Sequence, residues 1–408
     1  MPGTAFLRRA LTLCGVLVLL AGCAGGTPSD APLSIWGPIV TLAAAAQGDG
    51  PALAALTPGL LSAAWIGADA DGIQPMMRQH SEAGLGAPVT LRLSPVRPYG
   101  QRLLPAGGGN LHLLWLDADA QTQSDPFAAN ETRLFAALIT PTLTLERGPT
   151  LVSSGQTWHY AAAAAGDGSL WLAWSGGLAA EPTLYWQRLD AAGRPLFPQR
   201  LALNADWPLL TRTDAGQIDV YWAQEGRLWR ARLNETGAQQ PLALTTLPLL
   251  NAGDRLASIT AGLDRTHAYV FWNIRRADGT AETWFAAGAF GAQAWDAARR
   301  LGFALTAGSF ETGFNGGAAA AADAGETWLA WASALVGQYA ALPVAVWDGA
   351  FVGLVYFSGG RVAGYQRVAA VPLMIGAPQV ATDRERHVYL AWAEAGAEAA
   401  LLRLTSTR

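Results

Sequence analysis

Acidic and amide side chains crowd one stretch of this chain. Asp117, Asp119, Gln121, Gln123 and Asp125 stand at alternate positions. Alternating oxygen ligands suit a calcium loop, because a hard cation gathers oxygens from successive positions of a curved backbone. A helix–loop–helix calcium loop also wants glycine at its sixth place and a bidentate acid at its twelfth. Thr122 and Ala128 occupy those places here, so the stretch reads first as a solvated acidic loop. Calcium on Asp117, Asp119 and Asp125 is the one cofactor the pattern admits. Arg275 and Arg276 form a second candidate, since paired guanidinium groups can grip a carboxylate bidentately; the plain alternative is a solvated hairpin tip. Glu394 occupies a similar place after Trp392. Tyr339 and Trp347 could stack on sugar rings or simply pack between strands.

Other chemistries are excluded. Lysine is absent, which removes lysine Schiff bases and phosphate-loop lysines. The two cysteines, Cys14 and Cys23, both lie near the start, leaving the body without a disulfide or thiolate site. His267 and His387 each precede a tryptophan by five residues, which marks a recurring position more than a ligand pair. No H-E-x-x-H, G-x-S-x-G or G-x-x-x-x-G-K-[ST] pattern occurs, and no nucleophile stands beside a base. Net charge is −4; without Arg8 and Arg9 it is 25 basic against 31 acidic residues, or −6. That balance lacks the basic footprint of a nucleic-acid binder.

The elements that must position these residues repeat. A turn followed by an apolar run ending in tryptophan recurs at Trp65, Trp115, Trp174, Trp222, Trp272, Trp331 and Trp392. Six residues before the tryptophan stands Gly59, Gly109, Gly168, Gly216 or Gly325, with Thr266 and Arg386 as exceptions. Asp214, Asp264 and Asp323 lie eight before it. Spacings of 50, 59, 48, 50, 59 and 61 residues, filled with β-branched and aromatic runs, mark a β-propeller. One copy reads in full: strands over 208–213, 217–223 and 227–233 and near 241–245, separated by Asp214-Ala215-Gly216, Glu225-Gly226 and Asn234–Gly237. Four strands per copy and seven copies predict an all-β, seven-bladed propeller, with six or eight blades compatible with the same spacing. The low share of charged residues, 14%, suits strands covered on both faces. After Trp392 too little chain remains for a fourth strand, whereas residues 33–42 form a spare one. We expect that strand to complete the last blade and close the ring, removing an exposed edge. The longest turns after a tryptophan, 116–132 and 332–350, fall on the face where we expect binding.

Residues 1–22 combine Arg8 and Arg9 with an apolar core from Leu11 to Leu20, too short to span a bilayer. Leu20-Ala21-Gly22-Cys23 then resembles the bacterial lipoprotein lipobox. The resemblance implies cleavage before Cys23, lipidation of its sulfur and anchoring on the extracytoplasmic side of a membrane; each buried methylene adds about 0.8 kcal/mol. Residues 23–32 read as a flexible tether and residues 33–408 as one propeller domain. The repeats resemble the sialidase-like, BNR-repeat propellers, whose Asp-box core is similar to Asp323-Ala324-Gly325-Glu326-Thr327-Trp328. The sialidase arginine triad, tyrosine–glutamate pair and acid have no matching positions here.

The sequence therefore predicts a lipid-anchored, monomeric extracytoplasmic propeller that binds a protein, glycan or small ligand without catalysis. The alternative is a carbohydrate-active enzyme of sialidase-like build. An acid pair or arginine cluster at the ring centre would favour the enzyme. A channel lined by alanine, glycine and leucine would favour binding.

Overall fold

The computed structural model describes residues 36–45, 50–69, 72–93, 95, 97–118, 132–153, 155–213, 215–249, 251–278, 281–301, 328–330, 341–347, 351–371, 373–383, 387–396 and 399–407. Cys23, Asp119, Asp125, the Asp-box-like residues Asp323 to Thr327, Trp331 and Tyr339 lie outside them.

Seven antiparallel sheets follow one another along the chain. Blade 4 illustrates the build: Ala205–Arg212, Ile218–Gln224, Arg227–Asn234 and Leu242–Thr246 pair in succession. The first strands of neighbouring blades pack against one another and surround the centre. The turns between first and second strands form the lower face. The turns after the second strands, and the links between blades, form the upper face. Gly168 shows why glycine recurs in the lower turns. Its φ is +82°, and an added Cβ would lie 2.8 Å from the Gly107 nitrogen of the adjacent blade.

Repeat tryptophans fill the space between blades. Trp65, Trp115, Trp222, Trp272 and Trp392 are each at most 1% exposed, and Trp174 is 5% exposed. Blade 6 departs from the expected register. Trp328–Ala330 is its first strand, and Leu342–Trp347, placed in a loop by the sequence reading, is its second. The sixth repeat tryptophan is therefore Trp347, fully buried, with its indole donating to the Val371 carbonyl at 2.8 Å. Trp331 follows the innermost strand instead. The alanine-rich segment before it carries no hydrophobic alternation strong enough to separate first strand from second.

The ring closes as expected, a few residues later than the sequence suggested. Val40–Ala45 pairs antiparallel with Ala400–Ser406, and Trp36 bridges to Thr407. With Met374–Thr382 and Val388–Ala395 these strands make blade 7. Lower-face aspartates tie blades together. Asp264 accepts from the Tyr269 hydroxyl (2.5 Å) and the Gly359 amide of blade 6 (2.8 Å). Asp383 accepts from His387, Tyr389 and the Gly59 amide of blade 1.

Candidate functional site

Of the candidates that follow the tryptophans, Asp117, Arg275, Arg276 and Glu394 are among the described residues; they reach the upper face on different blades and are not brought together. Arg276 is buried. Its guanidinium donates to Asp254 and the Pro248 carbonyl at 2.8 Å each, and to Glu282 at 2.7 Å. Glu282 also accepts the Trp284 indole at 2.9 Å. Burial works to raise the Glu282 pKa, but Trp284 and Arg276 outweigh it and hold it low. Arg275 ends the second strand of blade 5, half-buried opposite Arg255 and Ala281. Glu394 accepts from Arg403 at 2.6 Å within blade 7. Asp117 accepts the Arg97 amide at 2.6 Å. Among the described residues no three acid, histidine or cysteine side chains are grouped to hold a metal ion.

A different cluster forms where the first strands of blades 3 and 4 begin at the upper face. Thr157–Ala164 carries His159, and Ala205–Arg212 carries Asp206 and Trp207. Both strands slip register at this level, between Thr157 and His159 and between Asp206 and Leu209. Such bulges re-aim side chains. Trp207 adopts φ +58°, and the nearby Asn204 adopts +51°. Left-handed backbone at a bulky residue costs of order 1–3 kcal/mol and concentrates at functional sites.

The His159 ring meets Asp206 Oδ1 through Nδ1 at 2.8 Å and stacks on Trp207 with centroids 3.6 Å apart. The same Oδ1 accepts the Trp207 amide at 2.7 Å and the Ser175 hydroxyl. Burial works to raise the Asp206 pKa, but His159, Ser175 and the Trp207 amide together bring it below the usual carboxylate value. Asp206 is therefore ionised and purely an acceptor at neutral pH, so the ring donates to it from Nδ1, and in the neutral imidazole the lone pair is then on Nε2. His159 and Asp206 are 33% and 27% exposed, enough for a ligand to reach them. Trp158 lies beside them, half-buried, its indole donating to the Gly177 carbonyl at 3.0 Å.

Below this mouth the first strands turn apolar, with Ala161 to Ala164 in blade 3 and Ala52 to Ala55 in blade 1. Neither an acid pair nor an arginine cluster converges at the centre among the described residues. Asp206 is the reachable carboxylate, while Asp254, one residue before the first strand of blade 5, is sealed against Arg276. Sequence reading passed over His159 and Asp206 because they precede their tryptophans by 15 and 16 residues (174 − 159, 222 − 206) rather than following them. The two offsets differ by one residue, which puts both at nearly the same level of adjacent blades, and that near-match was a usable signal.

The molecule is a seven-bladed, all-β propeller with a histidine–aspartate dyad at its upper mouth. Its sequence matches no family model and no curated protein. Its fold is similar to the polysaccharide lyase Uly1, at 11% identity and a TM-score of 0.54, over 96% of this chain and 95% of that one. It is also similar to a protein of unknown function from Dyadobacter fermentans, at 10% identity and a TM-score of 0.51, over 78% and 97% of the two chains. A third likeness is to an α-L-arabinofuranosidase of Fusarium graminearum, at 10% identity and a TM-score of 0.50, over 78% and 95%. At these identities the likeness concerns the fold.

Proposed function

We propose that this chain is a carbohydrate-active enzyme that cleaves an acidic polysaccharide by elimination, with His159 as the base. The observation that carries this reading is the Asp206–His159 dyad, whose Nε2 has no hydrogen-bond partner among the described residues. A glycoside hydrolase normally needs two carboxyl groups flanking the bond, and the described mouth offers one. Elimination needs a base for the carbon-bound proton next to a uronate carboxyl group. His159 Nε2 would take the C5 proton, a C4–C5 double bond would form, and the C4–O bond would break with its electrons leaving on the glycosidic oxygen. Trp158 and Trp207 supply aromatic surface of the kind that stacks on sugar rings. The carbohydrate reading also draws on the polysaccharide lyase and arabinofuranosidase among the similar folds.

The test is incubation with alginate, polygalacturonate and chondroitin sulfate, reading the ultraviolet absorbance of the unsaturated product. Turnover by the parent should fall by about 10²–10⁴ in His159→Gln, the usual contribution of a general base. Equal turnover in that variant would refute the assignment. The alanine-lined centre favours a second reading, a glycan-binding propeller without catalysis, which retention of a polymer without any product would support. The Leu20–Cys23 lipobox would hold either form at a membrane. Cys23→Ser should release the protein to the soluble fraction, and unchanged retention would refute the anchor.

A further inference from the structure

Ser175 is fully buried, on the second strand of blade 3 and paired with His159 across the sheet. Its hydroxyl accepts the His159 backbone N–H at 3.3 Å and donates its own proton to Asp206 Oδ1 on the next blade. We propose that Ser175 is a positioning residue for the dyad, tying the His159 backbone to the carboxylate that orients the His159 ring and so holding that ring in one tautomer. The inference rests on reading His159 as the base. Three donors converge on Oδ1: the imidazole, the Ser175 hydroxyl and the Trp207 amide. The last two approach from different blades and stop the carboxylate from turning. Rotation about its terminal torsion is otherwise soft and roughly two-fold. With Ser175 removed, Asp206 keeps only the Trp207 amide as an anchor besides the ring itself. The ring can then lose Nδ1–H···Oδ1 and place its proton on Nε2, where it can no longer act as a base.

The experiment is nitrogen-15 NMR of the histidine rings in the full chain, with His159 assigned by the signal lost in His159→Gln. No substrate is needed, so its outcome is separate from that of the turnover assay. The parent should show one His159 tautomer, protonated at Nδ1. Ser175→Ala should populate the Nε2–H form and exchange the ring proton about tenfold faster, the scale of one hydrogen bond. Ser175→Thr, which keeps the hydroxyl, should restore the parent pattern, and the His267 and His387 rings should not change. A single unchanged tautomer with the parent exchange rate in Ser175→Ala overturns the proposal. If Ser175→Ala behaves as expected but His159→Gln retains turnover, Ser175 keeps its positioning role and the assignment of the base falls.

Discussion

Replacing Trp347 with alanine tests the blade-6 register directly. The side chain is 0% exposed and lies in the largest hydrophobic cluster, with Val344, Val346, Val352 and Leu354. Deleting a buried tryptophan typically costs about 3–5 kcal/mol. The lost indole also leaves the buried Val371 carbonyl without its 2.8 Å donor, which adds about 1 kcal/mol at the low end of the range for an unsatisfied group. The expected loss is therefore about 4–6 kcal/mol. Residues 36–407 number 372 (407 − 36 + 1); at about 2.1 cal/mol/K per residue their unfolding entropy is about 0.8 kcal/mol/K. Dividing gives a fall in Tm of about 5–8 °C, measured by calorimetry. Urea titration should show the same loss as a lower midpoint with an unchanged slope. A Trp347→Ala protein that melts like the parent would place Trp347 at the surface and refute the register.

Deleting residues 36–45 should unpair Ala400–Ser406 and expose an edge. Aggregation or a sharply lower Tm is expected, and a parent-like melt would show that this strand does not close the ring. Arg276→Ala should cost about 3–5 kcal/mol in a urea titration, because it takes the guanidinium away from the buried Asp254 carboxylate and the half-buried Glu282, beside which Arg300 remains at 3.5 Å; a change below about 0.5 kcal/mol, usual for surface sites, would contradict the buried network. Acid should destabilise the fold in two windows. Burial lowers the His112 pKa from 6.5, so unfolding captures a proton and stability falls as the pH drops below 6.5. Asp264 and Asp383 are held below 3.8, where hydrogen bonds to their charged forms outweigh burial, so their contribution is lost as the pH falls past that value. Urea midpoints against pH should show both windows, and His112→Gln should shrink the upper one only, since burial lowers the His80 pKa as well.

The amino-acid sequence by itself determined the architecture. Tryptophans ending two-sided apolar runs, with glycine turns at a constant offset, specify a stack of four-stranded units through local periodicity and turn chemistry alone. The missing last strand and the spare one near the start likewise implied closure, which Val40–Ala45 provides. Local pattern failed in blade 6, where Trp328, Trp331 and Trp347 compete in an alanine-rich segment and only pairing of Leu342–Trp347 with both neighbours selects the register. It also failed at the site. Arg276 looked like an exposed turn residue because Asp254 and Glu282, which bury it, lie 22 residues before and 6 after. His159 and Asp206 are 47 residues apart on different blades, and two register slips aim them at each other. A strand's period of two says which face a side chain takes. Which blade lies next to it, and where a bulge shifts that period, are properties of the closed ring, so the dyad and the buried arginine were decided only by the tertiary structure.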